Sequence, residues 1–157
     1  MKLLRVGQKG QEKPAALDKD GKIRDISSHI SDLNPDHLNF EAISKLQNAD
    51  LSSLPEISSS ERIGSCITKP GKFVAIGLNF SDHAAETGAE VPSEPITFMK
   101  ATSCINGPND DIEIVTGSKK LDWEVELGIV IGKHTKHISE AQSQDPVSYT
   151  HLTLPTE

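Results

Sequence analysis

The stretch "KKLDWEVELGIVIGK", residues 119–133, decides the reading of this chain. Side chains alternate along a strand, so Leu121, Trp123, Val125, Leu127, Ile129 and Ile131 share one face. That face is apolar throughout, which predicts a strand over residues 121–132 with this side in the core. Asp122, Glu124, Glu126 and Gly128 share the other face. Glu124 and Glu126 then sit about 6.6 Å apart, two strand rises of about 3.3 Å. Like charges that close repel unless water screens them or a cation neutralises them.

Upstream, the pattern stays β-like. "KFVAIGL" (72–78), "PITFMK" (95–100) and "DIEIV" (111–115) read as short strands. "SDHAAETG" (81–88) fits two helical turns, with Ser81 or Asp82 as N-cap and Gly88 as the stop. Nearer the N-terminus, "MKLLRV", "PAALD" and "IRDIS" are β pieces, and Asp20–Gly21 marks a hairpin turn between the last two. "FEAISKLQ" (40–47) spaces Phe40, Ile43 and Leu46 by three, as a short helix does. "LSSLPEISSSERIG" is rich in Ser and Pro and reads as a connection or edge. These pieces predict a β-rich α+β protein: a small N-terminal domain over residues 1–67, then a β domain from 68 to 142.

Composition narrows the function classes. The 157 residues carry a net charge of −7, which argues against nucleic acid and anionic membrane surfaces as partners. No apolar run approaches the roughly 20 residues needed to span a bilayer, and the N-terminal apolar segment is too short for a signal peptide. Cys66 and Cys104 lack metal-type spacing and read as reduced thiols of a cytoplasmic protein.

Three constellations carry chemistry. Glu124 and Glu126 offer hard oxygen ligands to a divalent ion, although a merely solvated strand face looks the same. His83 and Glu86 are three apart on the helix, so the carboxylate can orient the imidazole as a general base; an exposed helix pair is the plain alternative. Lys100 ends a strand, where it meets either an anionic substrate or solvent. His134 and His137, in a polar loop, read as surface residues.

Taken in order, "AIGLNFSDHAAETG", "PITFMKATSCINGPND" and "DWEVELGIVIGK" closely resemble the fumarylacetoacetate hydrolase family. The resemblance runs from residue 1 to about 142 and is nearest to bacterial small-acid hydrolases and ureidoglycolate lyase-like proteins. It implies a catalytic domain of mixed β-sandwich-roll type and binding of Mg²⁺, Mn²⁺ or Ca²⁺. It also implies a homodimer acting on small oxo acids. Under it, Glu124 and Glu126 are metal ligands, His83 and Glu86 the water-activating dyad on a lid-like segment, and Lys100 a substrate-facing residue. The implied reactions are C–C cleavage of acylpyruvate-like or diketo acids, or ureidoglycolate lysis.

Three departures stand out. Phe80 occupies a place where many members have tyrosine, and Val115 one where proline is common. After "GKHTKHISEAQSQD" the family continues into a strand bearing an aspartate, the third metal ligand, and later a lysine segment; neither has a counterpart here. Instead, "VSYTHLTLPT" (147–156) resembles one reading frame of a transposase-type sequencing adapter. The expectation is an inactive fragment whose residues 143–157 form a non-native or disordered tail. The rival reading is a non-catalytic β domain or binding module with a solvated acidic face.

Overall fold

The fold was obtained as a computed structural model, which describes the backbone of residues 1–153 and the side chains of residues 1–147. It is α+β and divides into two units: Met1–Thr68 with the chain from Asn106 onward, and Lys69–Ile105. The segment 68–142, predicted as one domain, is therefore shared between the two.

The first unit is built on an antiparallel sheet of four strands in the order β1-β2-β3-β4: Lys2–Val6, Lys13–Leu17, Ile23–Asp25 and Glu56–Ile57. The β2–β3 turn forms where Asp20–Gly21 predicts it. Gly21 takes a left-handed φ of 78°, a conformation costly for residues with a Cβ. The Asp18 carboxylate accepts from the Asp20 and Lys22 amides, both at 2.9 Å.

Strand alternation gives this sheet two buried faces. Leu3 and Ala16 pack on one side with Ile26, Ile30, Leu33 and Leu38. Val6, Ala15 and Ile23 pack on the other. Helix α1, Phe40–Gln47, closes the first side with Ile43 and Leu46. Its start is fixed by Asn39, whose side chain accepts from the Ala42 amide at 3.0 Å.

The second unit holds a two-stranded antiparallel sheet, β5 (Val74–Gly77) with β6 (Ile96–Met99), pairing Val74 with Met99 and Gly77 with Ile96. Helix α2, Ser81–Thr87, lies between them in sequence. It stops at Gly88, whose left-handed conformation lets the amides of residues 88 and 89 return to the Ala85 and Ala84 carbonyls. The N-cap position is Phe80, not Ser81 or Asp82, and Phe80 makes no side-chain capping bond.

Strand β7 corrects the sequence reading twice. It covers only Glu126–Ile131, so Leu121–Val125 lie outside it. More consequentially, the apolar face predicted as core is the open one. Leu121, Trp123, Val125, Leu127, Ile129 and Ile131 are between 43% and 69% exposed. Glu124, Glu126, Gly128 and Val130 are half-buried, and Val130 packs against the N-terminal core. Among the described residues a layer exists only on the Val130 side; apolar alternation identifies a face that needs cover without supplying it. "DIEIV" likewise forms no strand, and Ile112, Ile114 and Val115 are exposed.

Residues Val147–Thr153 of the predicted tail form β8, antiparallel to β7. Ladder hydrogen bonds need only backbone groups, and an open strand edge offers a row of them to any extended segment. Residues 154–157 of that tail lie outside the described residues.

Candidate functional site

Three of the five predicted site residues belong to the Lys69–Ile105 unit. His83 and Glu86 are both on α2, and Lys100 follows β6 directly. Helical geometry places residues three apart on one side of the helix, so His83 and Glu86 are neighbours there. Ala84 between them is fully buried and fixes which side of α2 packs; His83 is half-buried and Glu86 exposed.

Around His83 the helix is tied down locally. The Asp82 carboxylate accepts from the His83 amide at 3.0 Å. The Thr87 hydroxyl donates to the His83 and Ala84 carbonyls at 3.0 and 3.2 Å. Asp82 also brings a carboxylate to the helix N-terminus, where the dipole favours it. The approach to α2 is strained: Leu78 has a φ of 48°, an uncommon conformation for a residue with a branched side chain. No signal in the sequence announces it, since leucine is not a left-handed residue by preference.

Lys100 is half-buried. Its amide donates to the Phe73 carbonyl at 3.0 Å, extending the β5–β6 pairing by one bond. Its ammonium lies 6.0 Å from the centre of the Phe98 ring, at the outer limit of a cation–π contact. Packing against Phe98 was not foreseen, although the spacing of two on a strand is its signal.

Glu124 and Glu126 belong to the other unit. Glu126 opens β7 and Glu124 lies just before it; both are half-buried beside apolar neighbours that are more exposed. Their carboxylate oxygens are the donor type that Mg²⁺, Mn²⁺ and Ca²⁺ take. The donor type thus fits such an ion, while the number falls short. Among the described residues, no group of three or more His, Cys, Asp or Glu side chains is placed to hold one. His134 and His137 are exposed, as predicted. No helix among the described residues is long and apolar enough to cross a membrane.

Comparison with known proteins gives a consistent result. Residues 72–152 match the family model described as Fumarylacetoacetate (FAA) hydrolase C-terminal. A Burkholderia ambifaria protein and a Burkholderia lata protein, both with the word hydrolase in their names, are 54% and 53% identical over 148 residues. Those alignments cover 94% of this chain and 52% of each relative, so the chain spans about half the length of the curated relatives it matches.

Among solved structures, a Mycobacterium smegmatis protein named for HpcE aligns with a TM-score of 0.79 at 27% identity. The alignment covers 99% of this chain and 55% of that one. Fumarylacetoacetate hydrolase from Exiguobacterium antarcticum gives 0.76 at 24%, covering 99% and 56%, a likeness of fold. Maleylpyruvate hydrolase from Sphingobium, likewise a likeness of fold, gives 0.75 at 20%, covering 99% and 58%. With the family model covering more than half its residues, the chain belongs to the fumarylacetoacetate hydrolase family.

Proposed function

We propose that the whole protein is a divalent-metal-dependent hydrolase or lyase of small oxo acids, and that this chain carries part of its site. The observation that carries the reading is α2, which sets His83 and Glu86 three apart in a chain of the fumarylacetoacetate hydrolase family. Maleylpyruvate hydrolase, which has a similar fold, was solved with manganese(II) and pyruvate, an ion and a 2-oxo acid of the expected classes. Acylpyruvate-like and diketo acids, or ureidoglycolate, are the proposed substrates. The intact protein is proposed to be a cytoplasmic homodimer.

Each residue has a distinct proposed task. Glu124 and Glu126 hold the ion, with a third carboxylate supplied from beyond this chain. An ion held there supplies Lewis-acid polarisation of a substrate carbonyl. Glu86 orients the imidazole of His83, and a ring nitrogen of His83 takes the proton from the attacking water. The Lys100 ammonium attracts a substrate carboxylate. Residues 1–67 form the small N-terminal domain, 68–142 the first part of the catalytic domain, and 143–157 a non-native tail. Two carboxylates alone under-supply an octahedral ion, so the 157-residue chain by itself is inactive.

The test uses the complete reading frame of the source gene. Glu124→Gln and Glu126→Gln should each weaken Mn²⁺ binding by calorimetry and abolish most turnover. His83→Ala should keep the metal and slow the reaction by roughly 10²–10⁴-fold, the usual worth of a positioned base. Full metal affinity and rate in both glutamine variants would make the acidic strand face merely solvated and favour a non-catalytic binding module.

A further inference from the structure

The segment Lys69–Ile105 leaves the first unit after Thr68 and returns at Asn106. Both points of passage belong to the first unit, and Arg62 joins them. Its Nε and Nη2 donate to the two oxygens of Asp110 at 2.7 and 2.5 Å, a bidentate pair spanning 48 positions of sequence. Its Nη1 donates to Glu12 at 2.8 Å and to the Gly7 carbonyl at 3.1 Å. Glu12 in turn lies 3.5 Å from Arg5, whose guanidinium is paired with Asp32.

The exit side is also sewn to β1: the Gly7 amide donates to the Arg62 carbonyl and the Gly64 amide to the Arg5 carbonyl, at 2.9 and 2.8 Å. On the return side, Gly107 makes the close approach possible. A Cβ there would stand 2.7 Å from the Ile63 carbonyl oxygen and 2.8 Å from an Asp110 oxygen. The Gly107 amide donates to that same Asp110 carboxylate at 3.1 Å.

We propose that the Arg62–Asp110 pair, seated on Gly107, is the closure that lets Lys69–Ile105 order as a separate unit. Bringing the ends of a long loop together has an entropic cost that grows with its length. A bidentate Arg–carboxylate pair at the root meets that cost once, outside the unit itself, and restricts the unit's unfolded ensemble as a crosslink would. The closure thereby orders the unit that carries His83, Glu86 and Lys100. The role holds whether or not those three are catalytic.

Hydrogen exchange by mass spectrometry on the 157-residue chain tests this. Asp110→Asn should accelerate exchange of the β5, α2 and β6 peptides by about tenfold or more, as loss of a charge-assisted pair implies, with β1–β3 at the wild-type rate. Gly107→Ala keeps every charge but forces the two passages apart, and should give the same local pattern. Arg62→Lys, which keeps the charge and loses the fork, should fall on the same side. Unchanged exchange of residues 69–105 in Asp110→Asn and Gly107→Ala would overturn the proposal. So would acceleration of β1–β3 in step with them, since the pair would then serve the whole fold and not the closure.

Discussion

At the turn between β2 and β3, the Asp18 carboxylate accepts from two backbone amides and from Arg24 Nε at 2.7 Å, with its side chain almost wholly buried. Burial by itself would raise its pKa. The hydrogen bonds from Arg24 and from the Lys22 and Asp20 amides outweigh that and hold it below the usual carboxylate range. A carboxylate depressed in the folded state stabilises fully above its unfolded pKa of about 3.9, and this is lost as pH falls through the lower folded value. Asp110, held low by Arg62, and Glu12, where Arg62 and Arg5 outweigh burial, act with the same sign. We expect a melting temperature that is flat between about pH 7 and 5 and falls below about pH 4. Asp18→Asn should melt lower at pH 7, because Arg24 loses the carboxylate paired with its Nε, and should respond less steeply to acid. An equally steep acid response in that variant would assign the titration to other groups.

Among the elements, α1 packs directly on the main core. Leu46 is buried on it against Leu3, Leu33 and their neighbours. Leu46→Ala should cost about 2–5 kcal/mol, the range for deleting a buried leucine side chain, read from urea unfolding. β8 is expected to matter far less. The main core lies in residues 3–46, so deleting residues 147–157 should leave the principal melting transition unchanged within error. A drop of several degrees would show that β8 packs with the core as well as pairing along an edge.

The same elements show what the sequence made legible. α1 carried its own period; the Asp20–Gly21 turn carried its own backbone preference; α2 placed His83 and Glu86. All of these are local. Arg62–Asp110 was not legible, because nothing in either neighbourhood marks a partner 48 positions away. β7 was legible in its alternation but not in its sense, since which face is covered depends on a layer that the strand does not itself contain.

For the whole molecule, the exposed apolar side chains on β7 and just before it bear most on solution behaviour among the described residues. Leu121, Trp123, Val125, Leu127, Ile129 and Ile131 are each at least 43% exposed, and a run of large apolar side chains left open is the kind of surface that marks an interaction site. Trp123, the chain's only tryptophan, is among them at 69% exposure. Acrylamide should therefore quench its fluorescence in the folded chain nearly as strongly as in urea. Hydrophobic dyes should bind before any denaturant is added. Strong protection of Trp123 in a verified monomer would mean the face is covered.

The sheet β1–β4 is complete by residue 57, and its core draws on residues 3–46. A ribosome extending the chain has about 65 residues still to add before it reaches Trp123, which takes roughly 3–13 s. Antiparallel neighbours close in sequence pair on far shorter timescales. The N-terminal sheet can thus be folded well before Trp123 and β7 leave the exit tunnel, so the open apolar stripe emerges onto a nascent chain whose first sheet is already built.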